Sequence, residues 1–278
     1  MYKLSKSVKI YVISHKEIEG ISSDDLYTPL FVGSQGKKTP ADNNDRKYQR
    51  DDCGDNISIR NPDYAELMGL YWMWKNSSAD IVGLVHYRRY FKDNNHKINE
   101  NEIINYLHDY DIVVPKKIEL LKKSYKETYK DSYLLQVLDI TRDVISKEYP
   151  DYLDTYDKII LEDSFFNFNM FIMNKKLLDD YCTWLFTILK EVENNIDLTI
   201  IKRVLGLVSE LIFNVWIRKN NLRTKELDIE YVGRGLNFRM SLAKNSFLRS
   251  LYRRFYFNHV KNVDNSKLEN FIQNLFFK

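Results

Sequence analysis

Two cysteines in 278 residues, Cys53 and Cys182, form no CxxC pair, so the chain offers no thiolate zinc site and is expected to keep its thiols reduced. Long apolar runs are missing as well. No stretch approaches the roughly 18 residues that a membrane-spanning helix needs. Met1 to Lys6 leads into a strand-like run without the apolar core of a signal peptide. These absences make a cytoplasmic location the expectation. No GxGxxG follows a strand-like run, and no GxxxxGK with a following Ser or Thr occurs, which removes dinucleotide-binding proteins of the fingerprint type and P-loop NTPases. His96, His108 and His259 share no metal-ligand spacing and read as solvent residues.

What is present is an ordinary soluble composition, 44% hydrophobic and 29% charged. The net charge of +3 conceals an asymmetry. Seven basic residues and no acidic one lie between Arg234 and Lys261, and without them 35 basic residues face 39 acidic ones. The same stretch holds Phe247, Leu248, Leu251, Tyr252, Phe255, Tyr256 and Phe257. Two readings stay open: a helix that sits on anionic lipid, or a terminal helix docked with its arginines outward. The acidic balance of the rest argues against nucleic acid.

Short apolar runs at 8–14, 28–32, 81–85, 111–114 and 169–173 read as strands. Residues 33–55 are polar and read as a long loop of the kind that is functional or disordered. A helix is expected from Asn61, with Pro62 in its first turn and Leu67, Leu70, Tyr71 and Trp74 as one buried stripe. Further helices are expected over 122–148, 175–193 and 198–219. Strands alternating with helices, then helices in the last third, argue for an α/β fold. It would have a mostly parallel sheet flanked by helices and a helical C-terminal region.

Four constellations carry polar chemistry. Asp51, Asp52, Asp55 and Asn56, around Gly54, could hold sugar hydroxyls or a cation, or simply form a turn that caps the helix. His86, Arg88 and Arg89 end an apolar strand; on an extended chain His86 and Arg88 share one face and Arg89 takes the other. Arginine forks at a strand end suit a phosphate, or a rim salt bridge. Glu162 and Asp163, followed by Asn167 and Asn169, offer a carboxylate in an aromatic loop, a candidate general base. Glu210, with Asn214 on the same helical face, is a fourth candidate, a structural glutamate being the bland alternative.

In order, the chain carries Lys9-Ile-Tyr-Val-Ile-Ser-His-Lys16, Asp52-x-Gly-Asp-Asn-Ile-Ser58, Asn61-Pro-x-Tyr-x-Glu-Leu67 and Tyr71-Trp-x-Trp-Lys-Asn76. Gly83-Leu-x-His-Tyr-Arg-Arg-Tyr-Phe91, Tyr110-Asp-Ile-x-x-Pro-Lys116, Asn169-Met-Phe-Ile-Met173 and Glu210-x-x-x-Asn-x-Trp216 follow. This series resembles the bacterial DUF4422 family of capsular and exopolysaccharide glycosyltransferases over about residues 8–220. The resemblance implies a GT-A-like domain over 1–235, with 236–278 as a basic, aromatic helical tail able to associate with a membrane. It implies a UDP-sugar donor, galactofuranose or galactose, and a lipid-linked saccharide acceptor. By position it places His15 near the base, Asp52, Asp55 and Asn56 in the nucleotide-sugar pocket, and Asn61 and Asn169 among the substrate-binding residues. His86, Arg88 and Arg89 would stand where metal-dependent relatives of the fold carry Asp-x-Asp.

A cluster that is already cationic could stabilise the departing diphosphate directly, so a reaction without metal or other cofactor is expected, Mn²⁺ or Mg²⁺ being the alternative. Asp109-Tyr-Asp111 has the letters of Asp-x-Asp but precedes its strand, and is discounted. One departure concerns the acceptor: where relatives have a histidine ahead of a helix ending in Tyr-Pro-x-Tyr, this chain reads Lys130-Asp-Ser-Tyr-Leu134, which implies a different acceptor. The expected reaction is inverting transfer with Asp163 as base and Glu162 and Glu210 in reserve, at the inner face of the cell membrane. An inert sugar-nucleotide-binding module and a membrane-surface scaffold of the polysaccharide assembly machinery are the rival readings.

Overall fold

A computed structural model describes residues 6–15, 25–39, 48–119, 124–130 and 132–232, at 61 and 62 the backbone alone. The basic aromatic tail at 236–278 lies outside the described residues.

The chain opens with three parallel strands, β1 (Val8–Ser14), β2 (Tyr27–Phe31) and β3 (Gln49–Arg50). Two helices follow, α1 (Asn61–Tyr64) and α2 (Leu67–Asn76), and then β4 (Ile81–His86), which pairs parallel to β1. β5 (Arg89–Asp93), β6 (His96–Lys97), α3 (Glu100–Asp109), β7 (Ile112–Pro115) and β8 (Ile118–Glu119) come next. Then come α4 (Tyr125–Tyr129), α5 (Tyr133–Glu148), α6 (Leu153–Ile159), β9 (Ser164–Phe165) and β10 (Phe171–Asn174). The long helices α7 (Lys175–Asn194) and α8 (Val204–Lys219) precede the last described strand, β11 (Thr224–Tyr231).

The main sheet runs β3-β2-β1-β4-β10-β7-β11-β5-β6. Both faces are covered, and the side chains sort with period two. Tyr11, Ile13, Val82, Leu84, Ile112, Val114, Phe171 and Met173 join the core under α2, α5, α6, α7 and α8. Ile10, Val12, Ile81, Val85, Val113 and Ile172 face the opposite way, toward α3 through Ile103 and Leu107. With both faces apolar, pattern alone does not set register. Specific contacts help to: the Tyr11 hydroxyl donates to Ser77 Oγ at 2.9 Å. A Cβ at Gly83 would stand 2.9 Å from Ile172 Cγ1 and 3.2 Å from Ile10 Cγ1, so the side chains of β1 and β10 fill the space above β4 there.

The sheet is mixed, which revises the mostly parallel expectation. β10 is antiparallel to β4 and β7, and β5 is antiparallel to β11 and β4. The last third is also less helical than expected, because β11 enters the sheet between β7 and β5. The helix from Asn61 breaks at Ala65, whose φ is 51°. The helix expected from 198 starts at Val204, after Arg203 with φ 62°. The stretch 122–148 divides into α4 and α5.

Candidate functional site

The C-terminal ends of β1, β3 and β4 bring His15, Asp52 and His86 to one edge of the sheet, the kind of edge at which open α/β sheets bind ligands. β10 runs the other way, so Phe168 and Asn169, just before it, arrive at that same edge.

The 86–89 segment is a turn. β4 pairs with β5 through His86 and Arg89, with Tyr87 and Arg88 as the two linking residues. Cross-strand partners project from the same face. The expectation that His86 shares a face with Arg88 is therefore corrected: its companion is Arg89. Arg88 sits in the turn, its guanidinium 5.1 Å from the Tyr87 ring centre. The Arg89 guanidinium lies 4.2 Å from the Phe168 ring centre, and the Phe168 carbonyl accepts from His86 Nε2 at 2.6 Å. A carbonyl only accepts, so the proton is on Nε2 and the neutral ring keeps Nδ1 as an acceptor. Burial, and next the Arg89 charge, lower the imidazole to about 4, which leaves it neutral at pH 7.

Two glutamates meet this turn. Glu66, at the start of α2, is 7% exposed and accepts from Arg203 at 2.8 Å and from Asn169 Nδ2 at 3.1 Å. Burial by itself would raise its carboxyl, but the charge of Arg203, with hydrogen bonds from the backbone and Asn169, outweighs that and holds it below the usual carboxylate value. Glu210, half-buried on α8, goes the other way. Burial, and then the charge of Glu66, push it up to about 8 against the pull of Arg89, Arg203 and the Phe168 backbone. Environments that drive two neighbouring carboxyls apart separate an anion from a group able to exchange a proton near neutral pH.

Asn169 ties these parts together. Besides Glu66, its Nδ2 reaches Ser209 Oγ at 2.9 Å and the Gly206 carbonyl at 3.4 Å. Its Oδ1 is buried with no hydrogen-bond partner among the described residues. The backbone is forced here. Seven described non-glycine residues have positive φ; three are asparagines at turns or helix ends, Asn94, Asn95 and Asn221. The other four, Ala65, Phe168, Asn169 and Arg203, all border the cluster. Such conformations cost about 1–3 kcal/mol each and persist where surrounding contacts over-determine them. Here those contacts are the Glu66–Arg203 pair and the Asn169 amide.

The other expected residues stand outside this cluster of contacts. Asp52 is held by Arg50 through two hydrogen bonds, at 2.9 and 2.6 Å, and that arginine keeps its carboxyl below the usual range. Asp55 accepts from the Tyr71 hydroxyl at 3.1 Å, and Asn56 spans a turn, donating to the Gly54 carbonyl and accepting from the Ser58 amide. Gly54 is left-handed at φ 66°, and a Cβ there would overlap Asn76 Oδ1 at 2.0 Å. His15 is exposed, edge-on to Tyr87 at 5.6 Å. Asn61 opens α1, and its side chain is outside the described residues. Glu162 is gripped by Arg218 through both guanidinium NH groups and lines a separate surface cavity of about 160 Å³ with Lys117, Ser164 and Glu226. Asp163 is exposed and is not brought into the cluster by any described contact. Of the three carboxyls expected as bases, Glu210 is the one that the described contacts bring to this cluster.

Sequence reasoning gave no role of their own to three residues. Glu66 left a faint signal, a charge directly before the apolar run Leu67-Met-Gly-Leu70. Arg203 left none, since it fell inside an expected helix. Asp51 was weighed only with its loop. It is 1% exposed and accepts from Gly33 N at 2.8 Å, Ser34 N at 3.0 Å, Ser34 Oγ at 2.7 Å and Ser58 Oγ at 2.6 Å. It fastens β3 to the loop after β2.

A divalent cation does not fit the side chains at this edge. Arg88 and Arg89 repel one, Asp51 and Asp52 are filled by donors, and Glu66 is paired. Asp111 is likewise taken by Arg223, at 3.2 and 3.0 Å. Among the described residues no three His, Cys, Asp or Glu side chains form a metal-binding group.

Among solved structures, the apo form of the WbbM bifunctional glycosyltransferase is similar to this chain at 29% identity with a TM-score of 0.70. The match covers 82% of this chain and 46% of that one, so the chain spans under half the length of that protein. Glucosyl-3-phosphoglycerate synthase from Mycobacterium tuberculosis, solved with Mn²⁺, uridine diphosphate and glucosyl-3-phosphoglycerate, matches at 10% identity and a TM-score of 0.35, over 90% of this chain and 81% of that one. At that distance it carries no argument. No curated protein matches the chain. The fold is therefore glycosyltransferase-like and mixed α/β. The family model described as a domain of unknown function, DUF4422, matches residues 9–221, in which every side chain of the cluster falls. By that match, which takes in the greater part of its length, the chain belongs to the DUF4422 family.

Proposed function

We propose that the chain is a glycosyltransferase that moves a hexose, galactofuranose or galactose, from a UDP-sugar to a lipid-linked glycan acceptor in capsular or exopolysaccharide synthesis. The observation that carries this reading is the juxtaposition of Glu210, raised to about 8, with the His86 and Arg89 pair on a glycosyltransferase-like fold. An acid–base group beside a fixed cation is what displacement of a diphosphate requires.

Glu210, in its ionised form, takes the proton of the acceptor hydroxyl as that oxygen attacks the anomeric carbon. The bond from that carbon to the diphosphate oxygen breaks, and the electron pair leaves with UDP. Attack from the face opposite the nucleotide inverts the anomeric centre. Arg89, with Arg88 at the turn, meets the charge that develops on the diphosphate, so no metal is needed for that purpose. A carboxyl poised near 8 is a stronger base than an ordinary glutamate and is still partly ionised at neutral pH. His15, Asp52, Asp55, Asn56 and Asn61 line the approach of the nucleotide, and the basic tail holds the enzyme at the inner leaflet.

The deciding experiment offers UDP-galactofuranose and UDP-galactose, with a lipid-linked saccharide acceptor and in EDTA, to the intact protein and to Glu210→Gln. Turnover by the first and loss in the second supports the reading. No binding of UDP and no turnover with either donor, with or without Mn²⁺, removes it.

A further inference from the structure

We propose that Glu66 is a positioning residue, a permanent anion that Arg203 and Asn169 fix beside Glu210, so that the two carboxyls together carry one exchangeable proton and that proton resides on Glu210. The proposal rests on Glu210 being the base of the proposed reaction and adds what sets its proton affinity. Glu66 has no route to a reacting group of its own: both of its carboxylate oxygens are engaged, Oε2 by Arg203 at 2.8 Å and Oε1 by Asn169 at 3.1 Å.

Three features make the arrangement specific. First, the partners are unequal, since the Glu66 side chain is 7% exposed while that of Arg203 is 62% exposed. A surface cation reaches inward to a buried carboxylate, which keeps that carboxylate charged where burial alone would neutralise it. Second, each holder is locked by a left-handed backbone, Arg203 at φ 62° and Asn169 at φ 51°, and Ala65 at φ 51° turns Glu66 toward them. Third, a Cβ at Gly206 would stand 3.6 Å from Glu66 Oε1, and Asn169 donates to the Gly206 carbonyl at 3.4 Å, so the anion lies against the face of α8 that carries Glu210 four residues on.

The charged and titratable groups around Glu210 are Glu66 just ahead of α2, Arg89 on β5, Arg203 ahead of α8 and Tyr125 on α4, with His86 on β4 beside Glu66 and Arg89. His86 is neutral above about pH 4, and burial, joined by neighbouring Tyr129 and the charge of Glu210, keeps the Tyr125 phenol protonated well past its ordinary value. In the neutral range the balance at Glu210 is therefore set by one anion, Glu66, and two cations.

The test follows the pH dependence of stability, by urea unfolding between pH 5 and 10, in the intact protein and in Glu66→Gln, Arg203→Gln and Glu210→Gln. It needs no donor or acceptor. The proton on Glu210 should leave at a pH lower by about one unit or more in Glu66→Gln, because a like charge raises a carboxyl. In Arg203→Gln the buried Glu66 loses its cation and holds a proton of its own, so stability should fall more steeply with pH, two protons being released instead of one. Glu210→Gln should abolish the transition. The proposal is overturned if Glu66→Gln leaves the transition where it was, or if Arg203→Gln leaves its steepness unchanged. Should Glu66→Gln not fold, the exposed Arg203→Gln decides, an unchanged steepness counting against the proposal. Transfer assays on the same variants separate the two ideas. A shifted stability transition without any glycosyl transfer keeps the positioning role and removes the transferase reading; transfer with an unshifted transition does the reverse.

Discussion

His86 and Arg89 are three residues apart in the chain yet face each other across the turn between β4 and β5, so imidazole and guanidinium leave the sheet on the same side. The cation is thereby set against a ring that it helps to keep uncharged. If that face receives a diphosphate, Arg89→Lys keeps the charge but loses the planar fork, and should weaken UDP by about tenfold or more. Arg88→Ala, at the turn, should weaken it by only a few-fold. Isothermal titration with UDP distinguishes the two, and an equal loss in both would count against the hairpin geometry as the clamp.

Glu210→Gln should lower the transfer rate by about 10²–10⁴-fold while UDP affinity stays within about twofold, the pattern of a lost general base. Asp163→Asn, at an exposed position remote from the cluster's contacts, should retain the rate to within a few-fold. Steady-state kinetics on the two variants settles which carboxylate accepts the proton. A dead Asp163→Asn with normal UDP binding would return the role to the loop.

The transfer rate should rise with pH through about 8, since the base must be ionised and burial with the Glu66 charge holds its proton to that point. Stability should run the opposite way over the same interval. A carboxyl whose proton is held to about 8 in the folded chain but released near its ordinary value on unfolding stabilises the fold at low pH, and this is lost as pH rises through 8. His86, lowered to about 4, acts at the other end: its contribution is present above its ordinary value and is lost as pH falls through 4. Urea midpoints should therefore peak between these limits, and a midpoint still climbing from pH 7 to 9 would contradict the assignment.

Asp51→Ala should destabilise the fold by about 3 kcal/mol or more, because four buried donors, two amides and two hydroxyls, lose the one carboxylate that satisfies them. The measurement is chemical unfolding at pH 7. A loss below about 1 kcal/mol would mean that water replaces the carboxylate there.

The central strands were legible because burial on both faces leaves an uninterrupted apolar run, as in β1 and β4. β11 was not: Thr-Lys-Glu-Leu-Asp-Ile-Glu-Tyr buries only Leu227 fully, and its polar alternation hides a strand that lies within the sheet. β5 was hidden for a related reason. Its first residue belongs to the arginine pair, and a charged pair at the end of an apolar run reads as an end rather than as the start of a return strand. In the site, residue type pointed to His86, Arg89, Asn169 and Glu210, while their arrangement did not follow. That arrangement depends on left-handed backbone at Ala65, Phe168 and Arg203, residue types with no such local preference, so only tertiary contacts reveal it. Glu162 and Asp163 were chosen for lying in an aromatic loop, which says nothing about which way each side chain turns.

The side chain of Asn214 gives the loop before β10 a support of an unusual kind. Its Oδ1 accepts from the Phe166 amide at 2.7 Å and its Nδ2 donates to the Phe166 carbonyl at 2.9 Å, so a helical side chain offers what a neighbouring strand otherwise offers to an extended residue. The stretch that presents the Phe168 carbonyl and Asn169 thus hangs from α8, one turn beyond Glu210. If α8 slides or tilts when a large substrate arrives, loop and carboxylate travel as one mechanical body. The spacing between Glu210 and the residues around it is then insulated from the motion, which on the proposed reading would let a bulky acceptor enter without detuning the base.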